Sequence, residues 1–281
     1  MSRPEHTAAA NEFYNRRESK KYTESGRVVS IQRTMAARAI ELLNLPKGKP
    51  LLLLDIGCGS AISSAQLGRS GHVWVGFDIS RSMLELARGS RLKSGDVAEA
   101  DIGQGMPLRA GVFDGAISIS AVQWLCVKQT PDQDPARRLK LFFKTLRKCL
   151  AFDARAVLQV YPENTDQMDM LATAARNAGF EGGIVVDYPR SMKAKKFYLC
   201  LWKFDRMPSR TQAMTSTSDS LLPPTVQFSS GRKKKKGRRK SKIRGRGGEL
   251  VGRHESKPSS SMKTGGTKGR PNKKRRRKRT L

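Results

Sequence analysis

The sequence feature that most constrains the fold is an apolar run, Leu51 to Ile56, that leads directly into Gly57-Cys58-Gly59. A continuous apolar run of this length is typical of a strand buried on both faces of a parallel sheet. Glycine alone combines a sharp strand-to-helix turn with close approach of a ligand to the backbone. The run and the loop therefore predict a nucleotide-type site at the carboxyl end of a first strand, with a helix over 62–67 to follow.

Strands and helices alternate along the chain as far as residue 202. The apolar patterns predict further strands over 72–79, 96–100, 113–119, 154–161, 184–188 and 197–202. They predict helices after Ser80, which is placed as an N-cap, and over 135–150 and 168–178. This alternation predicts an α/β fold with a mostly parallel sheet of six or seven strands and helices on both faces. Ligands bind such sheets beyond the carboxyl ends of the strands.

The two ends of the chain differ from this central domain, which we place at residues 46–206. Residues 1–45 are predicted as a helical lead-in, with one helix over Asn11 to Leu45. After residue 206 the chain holds 24 basic and three acidic residues, a net charge of +21 out of +31 for the whole chain. This tail, 207–281, has few large apolar residues, so we expect it to be disordered. Its cation runs at 232–246 and 273–279 indicate binding to a nuclear import receptor and to RNA phosphates.

Composition argues against several other classes of protein. The four cysteines lie far apart without a CxxC pair, and there are only three histidines, so we expect neither a disulfide framework nor a metal site. No stretch approaches the roughly 20 apolar residues of a membrane span, and the first residues lack the apolar core of a signal peptide. We expect a soluble intracellular protein with no membrane partner.

The acids that follow the strands indicate which nucleotide binds. A dinucleotide site has a third glycine three residues after the second, and here that position is Ile62. Asp55, two residues before Gly57, would repel a pyrophosphate but suits the sulfonium and ammonium of S-adenosylmethionine. A purely structural turn is the alternative. Asp78 ends the second strand and is expected to bind the ribose hydroxyls, with helix capping as the alternative. Asp101-Ile102 is expected to meet the adenine, with an ordinary loop aspartate as the alternative.

Ten stretches of sequence then carry a family resemblance. They are MSRPEH, FYN, KYT, LLDIGCGS, WVGFDIS, DIGQG, FDGAISISAVQWLC, RAVLQVYPEN, AGFEGGIVVDYP and KAKKFYLCL. Over residues 1–202 the chain resembles the eukaryotic 18S ribosomal RNA guanine-N7 methyltransferases, which have the class I (Rossmann-like) fold with a seven-stranded sheet. The resemblance implies S-adenosylmethionine-dependent methylation of one guanine in the small-subunit RNA, in the nucleus or nucleolus, during small-subunit biogenesis.

The resemblance also implies a partner and shows where this chain departs from the family. The implied partner is a small zinc-binding activator subunit that pairs with the sheet edge near the third strand. That strand reads DVAEAD here and is less apolar than the leucine-rich family version. The tail lacks the aromatic-bearing helix and the Tyr-Thr-Gly-Arg-Lys-Arg ending of the family. Ala61 stands where family members usually have glycine.

These arguments give two groups of candidate site residues. The expected cofactor contacts are Asp55, Gly57, Cys58, Gly59, Asp78, Ile79, Asp101, Ile102, Ser118, Tyr22 and Arg27. Of these, Tyr22 and Arg27 are expected to close over the cofactor, although Arg27 also fits a surface charge. The expected substrate contacts are Trp124, Tyr161 and Asn164, with Glu163 as an acceptor for guanine N1 and N2. Stacking on a flipped guanine explains the two aromatic residues, and burial in the core is the alternative for each.

The chemistry of the target agrees with the absence of a recognisable base. Guanine N7 keeps an in-plane lone pair, so methyl transfer to it needs alignment and a complementary field rather than a general base. Methylation of amino groups typically uses an Asn-Pro-Pro-aromatic turn after the fourth strand, where this chain has SISAVQW. A ribosome-assembly factor that uses the fold for binding, with dispensable catalysis, is the main alternative. A methyltransferase for small molecules or proteins is disfavoured by the basic tail and the aromatic candidates.

Overall fold

The computed structural model describes residues 3–191 and 194–203 and the backbone of Thr225–Phe228. The strands are β1 Leu52–Ile56, β2 Val73–Asp78, β3 Gly95–Glu99, β4 Phe113–Ile119, β5 Leu150–Val160, β6 Glu181–Asp187, β7 Lys196–Trp202 and β8 Thr225–Phe228. They form one sheet in the order β3-β2-β1-β4-β5-β7-β6-β8. β1 to β5 pair in parallel, whereas β7 runs antiparallel to β5 and to β6. The predicted mostly parallel sheet is therefore confirmed.

Helices cover both faces of this sheet. They are α1 Ala10–Phe13, α2 Arg16–Glu24, α3 Gly26–Leu43, α4 Ser64–Arg69, α5 Arg81–Gly89, α6 Pro135–Cys149 and α7 Thr165–Asn177. α6 and α7 pack on one face, and α3, α4 and α5 pack on the other. Along β1, Leu53 belongs to the core under α3 and Leu54 to the core under α6, as the alternation of side chains in a strand requires. Three short 3-10 turns lie at Pro4–His6, Ile102–Gln104 and Val122–Cys126.

The N-terminal segment is not the single helix predicted over Asn11 to Leu45. The Asn15 side chain accepts hydrogen bonds from the backbone of Arg17 and Glu18, and the Ser25 hydroxyl accepts one from Val28. Each therefore begins a new helix, because a short polar side chain satisfies backbone donors that a continuous helix would bond internally. The resulting corner at Tyr14 brings its ring to the carboxyl ends of the strands, where the cofactor is expected.

The tail contributes one strand that the prediction of disorder over 207–281 did not include. β8 pairs antiparallel with β6, with Val226 opposite Ile184 and Phe228 opposite Gly182. The sequence Thr-Val-Gln-Phe contains residue types that favour strands, so a local signal was present. The rest of the predicted disordered segment, including both cation runs, lies outside the described residues.

No helix among the described residues is long and apolar enough to cross a membrane, and no group of three His, Cys, Asp or Glu side chains there is arranged to hold a metal ion. The four cysteines are free and buried.

Candidate active site

A cavity of about 880 Å³, its open mouth included, lies at the carboxyl ends of β1, β2 and β4. The predicted site residues that line it are Tyr22, Gly57, Cys58, Gly59, Asp78, Ile79, Asp101, Ile102 and Trp124. Sequence reasoning did not identify several other lining residues, among them Tyr14, Gln32, Ser120, Gln129 and Arg138. The predicted location, beyond the strand ends, therefore holds a pocket that eight of the eleven cofactor candidates line.

The glycine loop is shaped by its neighbours as much as by any ligand. Gly57 and Gly59 have φ of +70° and +53°, conformations that other residues rarely adopt. A Cβ on Gly57 would lie 2.2 Å from the Cβ of Ala121, so this glycine lets the loop after β1 pack against the loop after β4. The Gly59 backbone donates a hydrogen bond of 2.8 Å to the Asp78 carboxylate, which joins the loop to the end of β2.

Asp55 lies beneath this loop and is fully buried. One of its oxygens accepts hydrogen bonds from Ser63 (2.7 Å) and Ser64 (2.6 Å), whereas Oδ1 has no partner among the described residues. Burial raises the pKa of this carboxyl to about 6, although both hydroxyls oppose the shift. Asp55 does not itself line the cavity, but Ser63 does. An unpartnered buried carboxylate oxygen beside a cavity fits a ligand with a cationic group, such as the ammonium of S-adenosylmethionine.

Asp78 has one backbone partner for each oxygen and still faces the cavity. Oδ1 accepts from the backbone of Ser80 and Oδ2 from that of Gly59, both at 2.8 Å. Burial is the largest influence on its pKa and raises it. The Ser80 hydroxyl accepts from the backbone of Met83, which confirms Ser80 as the predicted N-cap of α5. Because each carboxylate oxygen accepts more than one hydrogen bond, Asp78 remains available to ribose hydroxyls.

Asp101 is held by a cation that the sequence analysis did not identify. Arg138, in the first turns of α6, donates to Asp101 Oδ1 at 2.7 Å and to Gln133 at 3.0 Å. A Cβ on Gly103 would lie 2.2 Å from the guanidinium, so this glycine makes room for the ion pair. Asp101 Oδ1 also accepts from the Gly103 backbone, which is the predicted loop-aspartate role, and both acid and arginine line the cavity.

Aromatic rings close the cavity on the side of the N-terminal segment. The Trp124 ring lies 5.9 Å from that of Phe13 and 5.8 Å from that of Tyr14, and Tyr14 in turn contacts Tyr22 edge-on at 5.8 Å. Trp124 is only 7% exposed, as the core-packing alternative predicts, and it also lines the cavity, while stacking on a guanine stays a prediction. Burial raises the pKa of the Tyr14 and Tyr22 hydroxyls well above their usual range.

Two predicted cofactor contacts lie elsewhere. Arg27 is exposed at the start of α3 and does not line the cavity, so the surface-charge alternative describes it. Ser118 is fully buried inside the sheet, where its hydroxyl donates to the Ile56 carbonyl at 2.7 Å. It links β4 to β1, whereas Ser120, beyond the end of β4 and at a φ of +57°, lines the cavity instead.

Two predicted substrate contacts also have structural roles. The Tyr161 hydroxyl donates to the Met35 sulfur at 3.2 Å, and its ring faces Lys196 outside the cavity. Asn164 is exposed, and its side-chain oxygen accepts from the Gln167 backbone, so it caps α7 rather than aiming at a base. The sequence signal for capping was present, since Asn at the start of an amphipathic helix is a preferred N-cap.

Comparisons with known proteins agree with this site. Residues 54–149 match a family model described as a methyltransferase domain. The chain is 49% identical to the mouse 18S rRNA (guanine-N(7))-methyltransferase over 230 residues, which are 82% of this chain and 81% of the mouse protein. The chain belongs to the 18S rRNA (guanine-N7)-methyltransferase family.

Other members of the family are as similar. The Arabidopsis thaliana enzyme is 52% identical over 71% of this chain and 69% of its own length, and the Saccharomyces cerevisiae enzyme is 51% identical over 68% and 69%. A SAM-dependent methyltransferase from Aquifex aeolicus shares the fold, with a TM-score of 0.50 and 14% identity over 68% of this chain and 99% of that one. The matched domain contains the glycine loop and the acids of the cavity, whereas Tyr14 and Tyr22 precede it.

Proposed function

We propose that this chain transfers the methyl group of S-adenosylmethionine to N7 of a guanine in 18S ribosomal RNA. The observation that carries the proposal is the identity of about half of all aligned residues to family members bearing that name, over two thirds or more of the chain. The cavity supports it, because its acids suit the cationic and hydroxyl groups of this methyl donor.

Each acid has a separate part in binding. The free oxygen of Asp55 would accept the ammonium, Asp78 would accept the ribose hydroxyls, and Asp101, held in place by Arg138, would accept the adenine amine. Ile79 and Ile102 line the walls on either side. When bound, S-adenosylmethionine supplies a sulfonium methyl group that is open to nucleophilic attack.

The remaining lining groups suit a reaction that needs positioning and no base. Burial raises the pKa of Tyr14, Tyr22 and the Cys58 thiol, so all three stay protonated near neutral pH. Asp78 and Asp101 are already engaged by backbone donors and by Arg138. Guanine N7 attacks through its own lone pair, so the protein has to align the base and exclude water. The aromatic wall of Tyr14 and Trp124 does both.

The edge of the sheet at β3 supports the proposal that an activator subunit binds this chain. β3 ends the sheet and pairs only with β2 among the described residues. Its outer backbone groups are a template for another strand. Val97 is buried and Asp96 and Glu99 are exposed, so a partner would meet an acidic rather than a leucine-rich edge. We propose that the small zinc-binding activator of the family pairs here.

The basic tail supports a location and a second kind of contact. We propose that the cation runs at 232–246 and 273–279 bind a nuclear import receptor and bring the protein to the nucleus and nucleolus. The same runs are proposed to hold RNA phosphates in the small-subunit precursor, with the strong salt dependence of counterion release.

The test separates catalysis from assembly. Cells in which Asp78→Ala replaces the natural chain should lose N7-methylguanine from 18S RNA, because the ribose acceptor and the anchor of Gly59 are both removed. Asp132→Ala, at an exposed loop position, is the matched control and should keep it. Methylation that survives Asp78→Ala, or that is absent with the natural chain, would overturn the proposal. Normal subunit yield in the Asp78→Ala cells would in turn exclude a role in assembly alone.

A further inference from the structure

Tyr14 is the residue at which the N-terminal segment turns over the cofactor cavity. It lies between α1 and α2, with φ of −84° and ψ of 54°, outside the helical region. Its ring lines the cavity and contacts the rings of Trp124 and Tyr22. The place of this ring therefore depends on what holds the backbone at the corner.

Two buried hydroxyls hold the carbonyl of Tyr14. The Ser19 hydroxyl, from α2, donates to it at 2.9 Å, and the Ser80 hydroxyl, at the start of α5, donates to it at 2.7 Å. Ser19 is 0% exposed and Ser80 is 1% exposed. A carbonyl oxygen has two lone pairs, so these two hydrogen bonds satisfy it fully. The corner cannot shift without leaving buried polar groups unpaired, which is costly.

The two hydroxyls differ in what they join. Ser19 lies five residues after Tyr14, so its hydrogen bond stabilises the corner within the N-terminal segment. Ser80 lies 66 residues away, so its hydrogen bond joins the corner to the turn that follows β2. Neither serine lines the cavity, so direct contact with a ligand does not account for them. Ser80 instead determines where the corner lies relative to the sheet.

Ser80 also belongs to the turn that holds Asp78. Its backbone amide donates to Asp78 Oδ1 at 2.8 Å, and its hydroxyl accepts from the Met83 amide as the N-cap of α5. Through its backbone Ser80 thus contacts the acid expected at the ribose, and through its side chain it contacts the corner that carries the Tyr14 ring. A single residue connects the cofactor side of the cavity to the aromatic wall.

We propose that Ser80 is a positioning residue for methyl transfer, which places the Tyr14 ring at a fixed distance from the bound cofactor. This inference rests on the proposed function, because it assigns the wall of Tyr14 and Trp124 to alignment of the guanine. The reaction needs alignment rather than a base, and misplacement by about 1 Å can lower a rate about a hundredfold. The hydrogen bond from Ser80 fixes the wall that aligns the base relative to the methyl donor.

The test compares the two serines that bind the same carbonyl. Ser80→Gly removes the link to the corner, whereas glycine is an acceptable N-cap and keeps the backbone hydrogen bond to Asp78. At saturating cofactor it should lower the single-turnover rate of the full chain on small-subunit particles from cells that lack the enzyme by at least about tenfold. Affinity for S-adenosylhomocysteine should fall by no more than about threefold.

Ser19→Ala is the matched control. It removes an equally buried hydroxyl from the same carbonyl but keeps the link from Ser80, so the rate should stay within about threefold of the natural one. Both variants should lower the melting temperature, since each removes a buried hydrogen bond. A role in stability alone would therefore make the two rates fall alike, and that result would overturn the inference.

A double-mutant cycle shows whether Ser80 acts through Tyr14. Tyr14→Leu removes the ring but keeps the carbonyl. In that background the effect of Ser80→Gly on the rate should fall from about tenfold to within about twofold, because the ring that Ser80 positions is absent. An undiminished effect would mean that Ser80 acts by another route, and it would contradict the proposal.

One measurement needs no variant. In the natural chain saturated with S-adenosylhomocysteine, the Ser80 hydroxyl proton should exchange with water slowly enough to give a resolved NMR signal, because it is buried in a hydrogen bond. Rapid exchange overturns the inference whether or not the variants fold, and so does a natural rate in Ser80→Gly. Failure of the proposed function has a different signature, namely a slowly exchanging Ser80 hydroxyl in a natural chain that forms no N7-methylguanine in 18S RNA.

Discussion

Two regions of the domain, the acids of the cofactor cavity and the contact between the first residues and the start of α7, are assembled in different ways. In the cofactor cavity Asp78 ends β2 and Asp101 follows β3, and each accepts a backbone hydrogen bond from two residues away, Asp78 from Ser80 and Asp101 from Gly103. In the second region the groups come from opposite ends of the domain. Arg3 donates to the carbonyls of Tyr161 and of the following proline, across about 158 residues of chain. The contacts of Asp78 and Asp101 with Ser80 and Gly103 are local, whereas the contacts of Arg3 and the aromatic wall of Tyr14 and Trp124 exist only once the fold has formed.

This difference predicts how each region fails when it is changed. A local set of contacts depends on backbone conformation within one strand–turn–helix unit, so single substitutions in the loop act strongly. The N-terminal segment lines the cofactor cavity through Tyr14 and Tyr22, so substitutions there are expected to affect cofactor and substrate binding together.

The largest effect is expected at the glycine loop. Gly57→Ala combines a positive φ of +70° with a Cβ contact of 2.2 Å to Ala121, so it should destabilise the fold by about 3 kcal/mol or more and abolish cofactor binding. Gly111→Ala, at φ +71° in open space, is the matched control and should cost about 1 kcal/mol. Urea unfolding and calorimetry with S-adenosylhomocysteine measure both. Equal costs for the two variants would show that packing against Ala121 does not matter.

The free energy of unfolding should depend on pH through Asp55, the buried acid beneath the glycine loop. Burial raises its pKa to about 6, against about 3.9 for an unfolded chain. Because the folded-state pKa is the higher one, stability is full below about pH 4 and falls as the pH rises through about 6. Without cofactor, Asp55→Asn should therefore equal the natural chain near pH 4 and exceed its unfolding free energy at pH 7.5 by up to about 3 kcal/mol.

When the cofactor binds, the natural chain should become the more stable of the two chains at pH 7.5. S-adenosylmethionine should stabilise the natural chain strongly at pH 7.5 and Asp55→Asn only weakly, because the ammonium has lost its carboxylate. Thermal melts at both pH values with and without the cofactor check this. An identical pH dependence in the two chains would contradict the assignment of Asp55.

A smaller effect is expected at Arg138, which is distant in sequence from Asp101 but holds this acid of the cofactor cavity. Arg138→Met removes the partner of Asp101 and should weaken S-adenosylhomocysteine binding about tenfold, since a half-buried carboxylate is left without its cation. Arg137→Met, at the exposed neighbouring position, should leave the affinity unchanged. Equal affinities in isothermal calorimetry would show that Asp101 needs no partner to bind adenine.

The smallest effect is a gain in stability at Ala61. Its φ of +64° is left-handed, so it does not keep the ordinary helical angles under which it would be harmless. Ala61→Gly should raise the unfolding free energy by about 1 kcal/mol. Cofactor affinity should change by no more than about twofold, because Ala61 does not line the cavity. Ala65→Gly, inside α4, is the control and should lower stability. A large gain in affinity for Ala61→Gly would mean that its methyl group distorts the loop.

The contrast between local contacts and contacts across the fold explains which features could be predicted from the sequence. The succession of strands and helices along the chain, the glycine loop and the place of Asp78 at the end of β2 followed from local patterns, because a buried strand, a turn and a helix leave a signal within about ten residues. The corner at Tyr14 was missed because it depends on caps at Asn15 and Ser25 inside an otherwise helical pattern. Ser118 and Asn164 were assigned by their position after a strand. A hydrogen bond to the neighbouring strand and helix capping decided their roles instead.

The remaining errors concern contacts between distant parts of the chain. In the sequence, Arg138 is one of several cations on an amphipathic helix and is expected at the surface. No neighbouring residue indicates that it pairs with Asp101. Likewise, Gln123 is an ordinary polar residue until the fold buries it, and no local pattern in the sequence records that its side-chain oxygen has no partner among the described residues.

The central claim, methyl transfer to guanine N7 in 18S RNA, has one most direct test. The full chain with its activator is incubated with small-subunit particles from cells that lack the enzyme, using S-adenosylmethionine with a trideuterated methyl group. Mass spectrometry of the nucleosides should place the label on N7 of guanine in the 18S RNA, and Asp78→Ala should leave the RNA unlabelled. Label on another nucleoside or on protein, or none with the natural chain, would contradict the account.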